Sequence, residues 1–447
     1  MTEKSPVPQI IKFTIPMLLG NIAQQLYNTV DSIIVGRYVG DNALAAVGSA
    51  GPILNLMLVL FIGISVGASI MVAQYFGARQ REKLSSTVGA CITLTGIASL
   101  VIMVIGPIAA RILLRLLSTP ESIIGWCESY LTILFVGIAG SGCYNILSGV
   151  LRGLGDSISA LIYLLVATVT NIILDLAFVA GLNMGVAGVA LATVIAQFLS
   201  AILCIRKLTQ MQELFDLKKE HLKPDKEYMM PLIRLGFPSG ITQAILSMSI
   251  IIVQSLTNSF GELFIASNVI VMRIDGFVML PAFSFGTAMT TFAGQNIGAG
   301  KMDRVLKGAR QGTLVAMGIS AVLTGLILLF GRSLMGIFTR TDELIELSYH
   351  MMQILGVGYI AMEVTQCLSG IMRGAGDTIT PMWISILNSV VIRVPMAYGL
   401  VALTKSPELP QGDCAMMYVS LLITWTIGAF ITLIVYRLGK WRNKAVL

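Results

Sequence analysis

An all-α polytopic membrane protein, with twelve transmembrane helices in two six-helix bundles, is the fold class this sequence predicts. Three observations carry it. Of 447 residues, 55% are hydrophobic and 12% charged, against roughly 25% charged in a soluble protein. The apolar residues gather into twelve stretches, each long enough to cross a bilayer. The second half of the chain also repeats the first at a constant offset.

The stretches lie near 13–36, 46–75, 88–110, 124–149, 158–180 and 186–205, then near 231–257, 266–293, 309–331, 345–370, 380–403 and 414–436. MTEKSPVPQIIK is polar and leads straight into the first span, so no cleavable signal is expected. In that first span Asn21, Gln24, Asn28 and Asp31 recur at steps of three or four, one polar stripe on a helix. The stripe stops at Asp31, because Ile34 and Val35 continue the face as apolar. A charge in hydrocarbon is costly unless it faces protein or a water-filled cavity. This span is therefore expected to line a pathway, with Asp31 as the working group; an acid neutralised by a structural partner is the alternative.

Between the sixth and seventh spans lies RKLTQMQELFDLKKEHLKPDKEYMM, charged and central. It reads as a linker, 206–230, between a lobe at 1–205 and a lobe at 231–447. Of the loop and end Lys and Arg residues, 21 fall on the side that holds both termini and 6 on the other. Both termini are thus expected in the cytoplasm, and the net charge of +7 reflects basic loops rather than nucleic-acid binding.

The repeat is plainest in SGVLRGLGDSIS (148–159) and SGIMRGAGDTIT (369–380), identical at seven positions and 221 residues apart. The same offset pairs Gln74 with Gln295, Gly77 with Gly298, Ala78 with Ala299 and Gly40 with Gly261. Pro16 and Pro238 match one residue off that register. Six spans per half is an even number, so both halves enter the membrane the same way and their twofold axis is expected along the membrane normal. Such a duplicated bundle suits a carrier that alternates between two open states.

Chemistry is not duplicated. Asp31 aligns with Ile252, Asn171 with Ile392 and Asp175 with Met396. Asn171 and Asp175 share one face of the fifth span, Tyr27 and Asp31 one face of the first, and Thr193 lies in the sixth. Carboxylate, amide, hydroxyl and phenol oxygens suit a hard monovalent cation such as Na⁺. They suit a proton equally, since two carboxylates brought together in low dielectric hold one between them. Hydrogen-bonded packing between helices is the alternative for Asn171 and Asp175. The second half carries Arg273, Asp275, Glu363 and Arg393. Two acids and two bases read most simply as buried pairs, with Glu363 kept as a candidate substrate contact.

Other chemistries find no support. The six cysteines are scattered without CxxC, and His221 and His350 are the only histidines, so no disulfide framework or His/Cys metal site is expected. No Walker A sequence follows the GLG and GAG turns, and no HExxH occurs. The chain is not expected to be an enzyme, nor to need a cofactor or a metal beyond a coupling H⁺ or Na⁺.

Taken together these residues resemble the multidrug and toxic compound extrusion transporters, the MATE family. The resemblance covers nearly the whole chain. It rests on YNTVDSIIVGRYVG, on VAQYFGA and FAGQNIGAGK at the ends of spans two and eight, and on the paired LRGLGD and MRGAGD turns. It implies twelve helices in two lobes and exchange of an exported small molecule for inward Na⁺ or H⁺. The pattern is similar to the prokaryotic DinF-like branch, which implies a first-lobe cation site at Tyr27, Asp31, Asn171, Asp175 and Thr193 and a helix bend at Pro16. In the NorM-like branch second-lobe acids do this work, and Asp275 and Glu363 fall near that region. The expectation is a monomeric antiporter in the inner membrane of a prokaryote, exporting amphipathic, often cationic compounds. A dedicated exporter of one metabolite and a lipid-linked precursor flippase are the alternatives.

Overall fold

The computed structural model describes residues 1–117 and 119–446. Fifteen α-helices account for nearly all of it. They are α1 (Pro6–Tyr38), α2 (Asp41–Gly77), α3 (Arg81–Leu116), α4 (Glu121–Val136), α5 (Ile138–Leu154), α6 (Ser157–Asp175), α7 (Gly185–Gln210) and α8 (Lys226–Asn258). They continue with α9 (Glu262–Val278), α10 (Leu280–Gly298), α11 (Met302–Gly336), α12 (Asp342–Gly374), α13 (Ile379–Ile386), α14 (Arg393–Leu403) and α15 (Ala415–Leu438). Single π-helical turns follow α6 (Leu176–Gly181) and α13 (Leu387–Ile392).

Among the described residues ten helical stretches are long and apolar enough to cross a membrane, and an eleventh is the pair α4–α5, bent by 53°. The twelfth is α1. It has 33 residues but is not one of those ten, because the polar stripe interrupts its apolar run. It runs unbroken through Pro16. The helices extend beyond the apolar stretches, since polar residues continue them outside the hydrocarbon: α11 begins at Met302 and ends at Gly336. The segment 206–230 is absorbed in part, α7 taking its first five residues and α8 its last five.

The chain forms two compact units. One comprises Ile15–Gly240 with Val446, and the other Met1–Thr14 with Ile241–Ala445. In the first-half unit α2 packs along α5, α5 and α6 along α7, and α3 along α2, α4 and α5. In the second-half unit α12 is central, against α9, α10, α11 and α15. Each unit has its own apolar core, one around Phe61, Leu131 and Phe135, the other around Met352, Leu355 and Tyr359.

The repeat reaches local geometry. Gly155 and Gly376 end α5 and α12 with φ of +91° and +95°, a conformation that disfavours L side chains. Asp156 and Asp377 then accept from the backbone N–H of Ser159 (2.9 Å) and Thr380 (3.1 Å), which satisfies an orphan donor at the next helix start. Gly153 sits against the Ser69 carbonyl as Gly374 sits against that of Thr290, again 221 apart.

The residues joining α7 to α8 are docked on α3. Phe215 is buried. The Asp216 N–H donates to Ser85 Oγ (3.0 Å), Arg81 pairs with Asp216 (3.1 Å), and Thr93 donates to the Leu222 carbonyl (2.8 Å). Gly89 lets the His221 carbonyl reach the helix surface where any Cβ would collide with it.

Candidate cation site

The site belongs to the first-half unit and takes side chains from α1, α4, α6 and α7. Tyr27 and Asp31 lie one turn apart on α1. Asn171 and Asp175 lie one turn apart on α6 and are both fully buried. Asp175 is the last α-helical residue of α6, and the π turn follows at once. Such turns loosen the backbone ladder locally and recur at functional positions.

The five expected residues do come together. Tyr27 Oη lies 3.3 Å from Thr193 Oγ1, and the Asn171 amide lies 3.3 Å from the same hydroxyl. With its nitrogen turned to Asp175, the amide donates to Oδ2 at 3.0 Å, while its oxygen accepts from the Thr193 N–H at 3.2 Å. Asp31 and Asp175 lie within electrostatic reach of each other. Two carboxyl groups at such range in a low dielectric can share one proton. Asp31 Oδ1 and Asp175 Oδ1 are both buried without a partner. No ion pair among the described residues involves either acid. A fully buried and a half-buried acid without a base can hold a proton, or a small cation in its place through the surrounding oxygens.

Two neighbours carry little sequence signal. Tyr130 on α4 is buried within electrostatic reach of Asp31, Tyr27 and Asp175. The bend at Gly137 brings α4 to α7, for a Cβ there would strike Val194, next to Thr193. Gln197, four residues after Thr193, lines a narrow cleft with Gln24, Tyr27, Leu164, Ala167, Thr168 and Ala196, about 200 Å³ of empty space including its mouth. The i, i+4 spacing of Thr193 and Gln197 could have revealed the second. Tyr130 sits among apolar residues, where nothing in the sequence marks it.

The second-half groups do not form the two buried pairs expected. Arg273 is exposed and joins no ion pair among the described residues. It sits on the outward side of α9, two positions from Asp275, a spacing that turns the two side chains apart. Asp275 has Tyr359 and Arg393 in electrostatic range, Arg393 not in direct contact; its Oδ1 finds no partner, and the Tyr359 hydroxyl donates to Met352 Sδ at 3.7 Å. Tyr418 beside them donates to Asn268 Oδ1 at 2.6 Å. Glu363 is 1% exposed, and its Oε2 finds no partner.

Comparison with known proteins fits this architecture. The MatE family model matches twice, at residues 16–177 and 238–399, the two halves of the repeat. The chain is 33% identical to the probable multidrug resistance protein YoeA of Bacillus subtilis, over 100% of this chain and 97% of that protein. It is 25% identical to the probable multidrug resistance protein NorM of Thermotoga maritima, over 99% and 96%. It is also 23% identical to the multidrug export protein MepA of Staphylococcus saprophyticus, over 93% of each. Crystal structures of a MATE protein in straight and in bent conformations each superpose with a TM-score of 0.89 at 24% identity, over 97% of this chain and 96% and 95% of theirs. A helical membrane protein of twelve spans, duplicated at one offset and matched on both halves, this chain belongs to the MATE family of transporters.

Proposed function

We propose that the chain exports amphipathic, often cationic small molecules by alternating access, in exchange for inward H⁺ or Na⁺. One observation carries this reading: two acids, the fully buried Asp175 and the half-buried Asp31, face each other without a basic partner, in the one half of a duplicated protein that has them. A structural pair has no reason to be confined to one copy. The relatives named for multidrug resistance and export support the substrate class.

In this mechanism Tyr27, Asn171 and Thr193 orient the two carboxyl groups, and the ion enters between them from outside. Taking it up removes the charge beside the narrow cleft that Gln24, Tyr27, Thr168 and Gln197 line. The upper part of α1 then moves, with Pro16 as the bending point, because proline leaves one helical carbonyl without its N–H donor. Coupling follows if ion and drug prefer opposite states. In the second half, Asp275, Glu363 and Arg393 serve as candidate substrate contacts. Both termini face the cytoplasm, following the distribution of Lys and Arg.

Purified protein in vesicles, given a proton gradient or a sodium gradient one at a time and a panel of cationic dyes, tests this. Dye movement against its own gradient under either ion supports exchange and identifies the ion. Equal dye movement with and without both gradients would sink the antiport reading.

A further inference from the structure

The repeat contains a pair of residues that ion exchange leaves unused. Gln74 and Gln295 are equivalent, both fully buried, at the ends of α2 and α10. The turns that follow them are built alike. Ala78 N–H donates to the Gln74 carbonyl (2.9 Å) and Gln80 N–H to that of Tyr75 (3.1 Å). Ala299 N–H donates to the Gln295 carbonyl (3.1 Å) and Lys301 N–H to that of Asn296 (2.8 Å). Arg79 and Gly300 turn each corner with φ of +57° and +70°.

The same corner holds a different stretch of chain in each unit. In the first-half unit the Val446 N–H donates to Gln74 Oε1 at 2.8 Å. In the second-half unit the Met1 nitrogen donates to Gln295 Oε1, also at 2.8 Å. The second corner adds more. Asn296 Nδ2 and Arg304 Nη2 donate to the Met1 carbonyl (3.4 and 3.3 Å), Arg304 Nη2 to that of Glu3 (2.7 Å), and Lys301 Nζ to that of Thr2 (2.9 Å). Just before Val446, Trp441 is buried, donates to the Tyr436 carbonyl (2.8 Å) and stacks on the Tyr436 ring at 5.2 Å.

Connectivity gives these contacts their consequence. Met1–Thr14 belongs to the second-half unit, yet α1 continues without a break into the first-half unit at Ile15. Residues through Ala445 belong to the second-half unit, and the chain enters the first-half unit at Val446. Each captured segment is thus held in one unit and covalently continuous with the other.

We propose that Gln74 and Gln295 are paired clasps: each holds a terminal segment in this state, and both let go together when the units change state. This rests on alternating access. The first clasp is the backbone of Met1, Thr2 and Glu3 held at the Gln295 corner; the second is the Val446 amide at the Gln74 corner. Because both report one equilibrium, opening either one shifts the population at the other.

Hydrogen exchange on the full chain in lipid nanodiscs tests the linkage without any transport. Val446→Pro removes the donor at Gln74 and leaves both glutamines intact. Exchange in the peptide Met1–Phe13 of the other unit should rise about tenfold, the response of a shared two-state equilibrium. Unchanged exchange there, with the C-terminal peptide loosened, would overturn the proposal. A second arm uses Thr2→Cys with Lys301→Cys, in a chain whose partly exposed Cys143 and Cys414 are replaced by Ala. A short cleavable cross-link should lower gradient-driven dye efflux about tenfold, and cleavage should restore it. Full efflux while cross-linked would also overturn the clasp. If the unlinked parent moves no dye, the export reading fails, and the exchange measurement still decides the clasp.

Discussion

At the scale of single residues the account turns on shared oxygens. Thr193 Oγ1 lies 3.3 Å from both Tyr27 Oη and the Asn171 amide, so it fixes the two residues that flank the acids. Thr193→Val keeps the shape and removes the oxygen. It should lower ion-driven dye efflux about tenfold, as expected when a site loses one orienting hydrogen bond, while Thr193→Ser keeps most of it; initial efflux rates in vesicles check this. The five residues were legible in the sequence because Asp31 ends a polar stripe with Tyr27 one turn before it, the other three are polar side chains in apolar spans, and the repeat showed three of the five to be uncopied. Tyr130 was not legible. A phenol in an apolar helix resembles ordinary core until the bend at Gly137 turns α4 toward α7. Arg273 misled for the opposite reason: charge counting predicted a pair, but two residues along a helix point to different sides.

The elements carry the next set of expectations. Twelve spans could be read from hydropathy, but their ends could not, since α2, α3 and α11 continue as polar helix beyond the apolar run. The docking of the segment after α7 was also hidden, because Gly89 looks like any membrane glycine until the His221 carbonyl lies on it. Gly89→Ala should push that segment off α3, speeding limited proteolysis between 211 and 225 several-fold while α3 itself stays intact. The turn glycines make a matched pair. Gly155→Ala and Gly376→Ala each place a side chain at a φ above +90°, which should cost about 1–2 kcal/mol apiece. Thermal unfolding of the two variants should show similar losses, because the repeat builds the same corner twice.

For the whole molecule, duplication and asymmetry divide the labour. Backbone corners, caps and close helix approaches recur at the 221-residue offset, while the acid pair does not. An acid alone at the equivalent place should therefore be insufficient. Ile252→Asp, introduced together with Asp31→Asn, should leave gradient-driven efflux absent, because Ile392 and Met396 stand where Asn171 and Asp175 would be needed. Restored efflux in that double variant would mean that position, and not the surrounding oxygen set, makes the site. The most direct measurement of the central claim is gradient-driven dye efflux from vesicles containing Asp31→Asn at wild-type protein levels. The account predicts that efflux no longer responds to the ion gradient, while thermal stability stays near that of the parent. A gradient response equal to that of the parent would contradict it.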